Sequence, residues 1–341
     1  MEATIIDDSQ PQTESELVLE TPSSNLFIPP SINTALLLNG ASYSHFSPIP
    51  SSLLPPSSTQ SGPPCCLGVD EAGRGPVLGP MVYGVYAVPL DQSDSLLRHP
   101  SHRFDDSKVL SPQFRSSLMD TLCSPDTDLH SSSAWAVRLL SARDIGAHMF
   151  SPSAYNLNAQ ALDATIELIR GVMDKGVNVA EIYVDTVGPP ATYQAKLERV
   201  FPTAKITVAK KADSLYPCVS AASVVAKVTR DAALEVLYEQ RACTDRQREA
   251  AVRESGAEEV AKEGEEGMAW GSGYPSDGRC VSWMRSNMHP VFGWGPELEW
   301  PLEDDENNTK LMDFFVAGKA GDEVADELGA WFGTPAGLTA F

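Results

Sequence analysis

The chain has 341 residues, 42% of them hydrophobic, and a formal net charge of −21. That length and apolar content support one sizeable core or two modest ones and exclude a generally disordered protein. Such an acidic total opposes phosphate binding unless Lys and Arg are locally clustered. No run of eighteen apolar residues occurs, and the N-terminus lacks the basic and apolar regions of a signal or transit peptide, so the reading is a soluble, intracellular protein with no membrane association.

Residues 1–64 contain no Lys or Arg and are rich in Ser and Pro, a composition with too little patterned apolar surface to offset the entropy of ordering. They are predicted to form a disordered tail, in which Ala35-Leu36-Leu37-Leu38 is an apolar cluster suited to docking on a partner. The folded part is predicted to begin near Cys65. The six cysteines, at 65, 66, 123, 218, 243 and 280, have neither paired metal-ligand spacing nor the density of a secreted scaffold, which favours a reducing compartment.

Three strand-like runs follow: Cys66 to Asp70, Met81 to Val88 and Ala134 to Leu140. Asn156 or Asn158 then serves as N-cap for a helix with Leu162, Ile166, Ile169 and Met173 at helical spacing. A strand over Glu181 to Asp185, a short helix over Tyr193 to Val200, a strand over Lys205 to Ala209 and a helix from about Pro217 complete the pattern of a mixed α/β sheet. Residues 241–267 are dense in Glu, Arg and Ala without an apolar stripe and read as a charged insertion, helical or disordered. Aromatic residues return over 268–341, a C-terminal segment.

Candidate chemistry sits in acids at strand ends. Asp70 and Glu71 close an apolar strand and lead into Ala72-Gly73-Arg74-Gly75, Asp185 closes a second strand, and Asp213 precedes a helix start. Ligands of an open α/β sheet collect beyond its strand ends, so these acids can converge there. Four carboxylates in one place repel strongly unless a cation joins them, and hard oxygen ligands select Mg²⁺ or Mn²⁺. Two such ions about 4 Å apart support phosphodiester hydrolysis. Any one of these acids also reads as a cap of a turn or helix. The charge balance adds a local basic patch, since Lys196, Arg199, Lys205, Lys210, Lys211, Lys227 and Arg230 face only Glu198 and Asp213 in that stretch.

The run Leu67-Gly68-Val69-Asp70-Glu71-Ala72-Gly73-Arg74-Gly75-Pro76-Val77-Leu78-Gly79-Pro80 resembles the opening signature of the type 2 ribonucleases H. The likeness continues in order through Asp106-Ser107-Lys108, Tyr155-Asn156-Leu157-Asn158, Asp185-Thr186-Val187-Gly188, Lys211-Ala212-Asp213, Ser220-Ala221-Ala222-Ser223 and Gly271-Ser272-Gly273-Tyr274-Pro275. Within that family the details resemble the eukaryotic catalytic subunits. The resemblance implies an α/β ribonuclease H-like fold: a central five-stranded mixed sheet flanked by helices, with a helical C-terminal extension. It divides the chain into the 1–64 tail, a 65–240 catalytic domain, the 241–267 insertion, and a 268–341 extension that completes the substrate site and contacts partner subunits.

By the same resemblance, Asp70, Glu71, Asp185 and Asp213 are the catalytic acids and hold two Mg²⁺ or Mn²⁺ ions. Gly73, Arg74 and Gly75 sense the ribose 2′-hydroxyl, and Tyr274 stacks at the sugar next to the ribonucleotide junction. Lys108 contacts a phosphate, while Lys210, Lys211, Ser223, Lys227 and Arg230 hold the DNA backbone. The implied activity is hydrolysis 5′ to a ribonucleotide in RNA/DNA hybrids and in duplex DNA with embedded ribonucleotides. Expected partners are two non-catalytic subunits. The implied location is nuclear, with a cytoplasmic pool. Beside the resemblance, Asn308 to Phe315 reads first as a helix that buries Leu311, Phe314 and Phe315 and second as an approximate sliding-clamp peptide with Asn in place of the usual Gln, and the acidic run Glu303 to Glu306 reads as a solvated face or a contact to a basic partner surface. His99 and His102 have zinc-like spacing, but Pro100 lies between them and no acidic partner motif follows, so no zinc site is expected.

Overall fold

The computed structural model describes residues 27–56, 61–104, 110–151, 155–186, 189–254 and 268–287. Its elements run α1 (Thr34–Leu38), β1 (Tyr43–Phe46), β2 (Cys65–Ala72), β3 (Met81–Pro89), α2 (Ser93–Leu97), α3 (Pro112–Cys123), α4 (Asp128–Ser132), β4 (Ala134–Leu140) and α5 (Ala142–Met149). There follow α6 (Leu157–Asp174), β5 (Val179–Asp185), α7 (Pro190–Val200), β6 (Lys205–Ala209), α8 (Ala212–Leu215), α9 (Pro217–Glu254) and α10 (Gly278–Ser286). Every strand and helix predicted between Cys66 and Pro217 is present, and Asn156 caps α6 by accepting from the Ala159 amide.

The strands form one mixed sheet in the order β1-β4-β3-β2-β5-β6. β2, β3, β4 and β1 pair antiparallel in succession, whereas β5 and β6 join parallel to β2 through helical crossovers. The sheet is buried on both sides, as continuous burial along β3 demands. Alternate side chains divide between two cores. Cys66, Val82, Tyr86 and Val137 pack with α9 and α3, while Leu67, Val69, Val85 and Ala136 pack with α6 and α7. α9 lies close on the sheet because Gly68 has no side chain there: a Cβ would fall 2.2 Å from the Cys218 carbonyl.

Two expectations need correction. The sheet has six strands, not five, and residues 27–56 are an ordered part of the domain, not a disordered tail. β1 covers the edge of β4 from Tyr43↔Leu139 to Phe46↔Ala136. The Ser31 hydroxyl bonds that of Thr229 on α9 at 2.9 Å, Tyr43 donates to the Ser31 carbonyl, and the Phe27 amide donates to Ser116. Leu37, from the cluster predicted to dock on a partner, is buried in this chain's own core. The local composition concealed this because the strand is only four residues long and its partner lies far away in sequence. The insertion begins as a continuation of α9 through Glu254, and the C-terminal extension begins with the loop over residues 268–277, followed by the helix α10. Residues 255–267 and 288–341, with the clamp-like and acidic segments, lie outside the described residues.

Deleting residues 1–64 uncovers the β4 edge and the α9 face beneath Ser31 and Leu37. The truncated chain is expected to unfold at least about 5 °C below the full chain in a thermal melt, the shift that a few kcal/mol gives at this size. An unchanged midpoint would mean that β1 adds nothing to the fold.

Candidate active site

The acids gather where β2 and β5 end side by side. Val69 pairs with Val184 across these parallel strands, so Asp70 and Asp185 are the next residues on adjacent strands. Successive side chains of β2 alternate between its faces. Asp70 therefore turns toward α9, where Ser223 and Lys227 sit, and Glu71 lines the opposite side with α6 and α7.

Asp70 is 5% exposed, and burial pushes its carboxyl up to about 7; Lys227 and a hydrogen bond from Ser223 oppose that rise, and the charge of Asp185 adds to it. Burial likewise raises Glu71 to about 8, with Asp70 and Asp185 adding repulsion and Arg74 and Lys227 reducing it. Both shifts come first from burial, and the neighbouring carboxylates add to them, so placing full negative charge on these acids is unfavourable without a compensating cation. Lys227 donates to the Ser223 hydroxyl at 2.7 Å, so both side chains are held at Asp70.

Asp185 is oriented by the next turn of chain. Its Oδ1 accepts from the Ala212 amide at 2.9 Å. Lys211 adopts a left-handed conformation with φ of +55° to deliver that amide, a conformation costly for a residue with a side chain. Asp213, 5% exposed, is the next residue, and its Oδ1 accepts from the Ser214 amide. Asp70, Glu71 and Asp185 thus act on one another directly, and Asp213 is linked to them through the strut on Asp185. Among the described residues, no three His, Cys, Asp or Glu side chains stand close enough to hold a metal ion as they are. The donors are all hard oxygens, which suit a divalent cation of the Mg²⁺ or Mn²⁺ type, and their spacing is open.

Beside Glu71 and Asp185 opens a cleft of about 190 Å³, lined also by Arg74, Asn158, Tyr193 and Lys196. Arg74 donates to the Asn158 Oδ1 at 2.5 Å. Gly73 and Gly75 have φ of +80° and +107°, as their place in a tight turn suggested. Asn158, Tyr193 and Lys196 were not singled out as site residues in the sequence. Asn158 carried a faint signal: it is a poor helix former one residue inside a helix that Asn156 already caps.

The remaining residues divide. Lys210 and Lys211 are exposed at the end of β6, where a polyanion can reach them. Arg230, expected at the DNA backbone, is 3% exposed, and its guanidinium is spent on the protein. Nη2 donates to the Ser272 carbonyl at 2.6 Å and the Leu78 carbonyl at 3.3 Å, and Nη1 to Asp231 at 3.1 Å. The same guanidinium lies 5.0 Å from the centre of the half-buried Tyr274 ring. Lys108 lies outside the described residues. His102 pairs with Asp128 at 2.8 Å, and no metal-binding group forms there among the described residues.

Residues 67–247 match the sequence model of the family described as Ribonuclease HII. The chain is 53% identical to the A subunit of Ribonuclease H2 from Neurospora crassa over 338 residues, covering 92% of this chain and 97% of that one. It is 42% identical to the corresponding protein of Schizosaccharomyces pombe, over 84% of this chain and 77% of that one. To the corresponding protein of Homo sapiens it is 41% identical, over 68% of each chain. Among solved structures, the PCNA:RNase HII complex from Archaeoglobus fulgidus aligns with a TM-score of 0.45 at 25% identity, over 65% of this chain and 85% of that one. The chain belongs to the ribonuclease HII family, on the side of its eukaryotic A subunits, and is a ribonuclease H with the α/β fold of that family.

Proposed function

We propose that the chain hydrolyses the phosphodiester 5′ to a ribonucleotide, in RNA/DNA hybrids and in DNA with embedded ribonucleotides, leaving 3′-hydroxyl and 5′-phosphate ends. The observation that carries this reading is the convergence of Asp70, Glu71 and Asp185 where two paired parallel strands run side by side, with Asp213 one residue beyond the Ala212 amide that holds Asp185, all next to the Gly73-Arg74-Gly75 turn. Asp70, Glu71, Asp185 and Asp213 would hold two Mg²⁺ or Mn²⁺ ions, which when bound supply an activated water and charge relief for the leaving oxygen. Lys227 and Ser223 fix Asp70, and the Ala212 amide fixes Asp185, so the acids need little reorganisation. The backbone of Gly73 and Gly75, unscreened by side chains, can approach a 2′-hydroxyl, the group that distinguishes RNA from DNA. Arg74, in the middle of that turn, is braced by Asn158, and its charge eases that of Glu71. Tyr274 packs on the neighbouring sugar, and Lys108, Lys210 and Lys211 take phosphates.

The relatives are named as subunits of a larger enzyme, and on that basis two non-catalytic partners and a nuclear site of action complete the proposal. Contact with a sliding clamp would run through Asn308 to Phe315. A duplex carrying one ribonucleotide, incubated with Mg²⁺ and the chain alone or co-expressed with partners, should yield a single cut 5′ to the ribonucleotide, and an all-DNA duplex none. Cleavage of both or of neither overturns the reading. Asp70→Asn or Asp185→Asn should reduce cleavage to background while circular dichroism stays that of the parent.

The raised carboxyls also predict a pH dependence of stability. Folded Asp70 and Glu71 keep their protons to higher pH than the unfolded chain, so the stability they confer is complete below about pH 4 and is lost as pH rises through about 7 to 8. In chelator, the melting midpoint should therefore fall from about pH 5 to about pH 8 and level off above that, and fall less in Asp70→Asn. Mg²⁺ should restore most of the loss at pH 8 and little at pH 6. A midpoint flat across that range would mean that the acids are already balanced.

A further inference from the structure

The loop that bears Tyr274 is gripped from two sides. On one side, Gly273 presses on the β2–β3 turn: its carbonyl accepts from the amides of Val77 at 2.9 Å and Leu78 at 3.2 Å. A Cβ on Gly273 would fall 2.6 Å from the Leu78 carbonyl and 2.8 Å from Arg230 Nη2, so only glycine fits there. On the other side stands Asp277, 2% exposed. Its Oδ1 accepts from the Arg279 amide at 3.0 Å, which caps α10, and from Arg279 Nε at 3.3 Å. Capping would need no more than that. The second oxygen turns back into the loop instead: Oδ2 accepts from the Ser272 amide at 2.7 Å and from Arg279 Nη2 at 3.1 Å. The Asp277 amide donates to the Tyr274 carbonyl at 3.0 Å. Gly271, with φ of +52°, leaves the room that this carboxylate takes up.

We infer that Asp277 is a positioning residue for Tyr274: its carboxylate closes the Gly271–Asp277 loop against Arg230, so that the Tyr274 ring is presented to a ribonucleotide junction before substrate arrives. The inference rests on the proposed role of Tyr274 and goes beyond it by naming what sets the ring. A recognition group ordered in advance costs less to bind than one ordered on contact. Arg230 lies opposite. Its Cγ passes 3.4 Å from where a Gly73 Cβ would be, and its guanidinium reaches Ser272 and the Tyr274 ring. The loop thus holds a fixed register to the Gly73 turn.

Asp277→Asn keeps the size of the side chain and an acceptor for the cap but removes the charge that holds Ser272 and Arg279. Cleavage of a duplex with one ribonucleotide and of a continuous RNA/DNA hybrid is compared in the parent, Asp277→Asn, Tyr274→Ala and the double variant, using the full chain co-expressed with its partner subunits. Asp277→Asn should lower the single-ribonucleotide rate relative to the hybrid rate by about tenfold, the loss of one charge-assisted hydrogen bond. In the Tyr274→Ala background it should add less than about twofold, because residues acting through one another are not additive. Hydrogen exchange of the free chain should quicken at the amides of Ser272, Gly273 and Tyr274 and remain unchanged in β2 and β5. Equal losses on both substrates, losses that multiply with those of Tyr274→Ala, or unchanged exchange would each overturn the inference. A parent that cleaves neither substrate defeats the nuclease reading, and the exchange measurement alone then decides whether Asp277 orders the loop.

Discussion

The arrangement depends on the cost of keeping negative charge in a dry place. Asp70 and Glu71 lie near the end of β2, just before Ala72, in a largely buried strand, and Asp185 ends the strand beside it. A carboxylate moved out of water there is unfavourable, and a second one nearby makes it more so. The chain tolerates this because neighbouring groups offset part of it. Lys227 and Ser223 reach Asp70 from α9, Arg74 and Lys227 ease the charge on Glu71, and a left-handed turn at Lys211 brings the Ala212 amide to Asp185. The compensation is incomplete, and under the proposed function a bound cation would supply the remainder: a fully neutralised cluster would have little reason to bind one.

Much of this was legible in the sequence because it is local. The acids stand at the ends of apolar runs, Asn156 announces a helix, and glycines flank Arg74; each feature follows from the chemistry of a few adjacent residues. β1 was missed because Tyr43-Ser44-His45-Phe46 is short and set amid Ser and Pro, and only the distant β4 edge makes it a strand. Arg230 was misplaced for a related reason. Sequence displays charge but not burial, and an arginine on a helix in a basic stretch looks like a phosphate contact until the loop that covers it is known. Asp277 drew no notice because an Asp after a Gly-rich turn has an ordinary explanation as a cap. Its second oxygen, directed at Ser272, is visible only in three dimensions.

The acidic total charge ceases to be an obstacle once charge is located. The lysines at the end of β6 lie beside the acids. Phosphate attraction is strongest within a Debye length, about 8 Å at physiological ionic strength, so the charge of remote segments counts for much less than that of the rim. A polyanion approaching the β5–β6 end meets the exposed Lys210 and Lys211 before it reaches the carboxylates.

α9 joins the chemistry to the recognition. Ser223, Lys227 and Arg230 are spaced i, i+4, i+7 and share one helical face. The first two hold Asp70; the third holds the Leu78 turn and the Ser272 loop. Because α9 seats on β2 where Gly68 lets its backbone approach closely, that face is fixed relative to the strand that carries the acids. The distance between the carboxylates and the Tyr274 loop is therefore set by a helix, which neither stretches nor slips in register. Under the proposed function, a loop alone could recognise a junction, but it could not guarantee that the bond beside that junction meets the carboxylates.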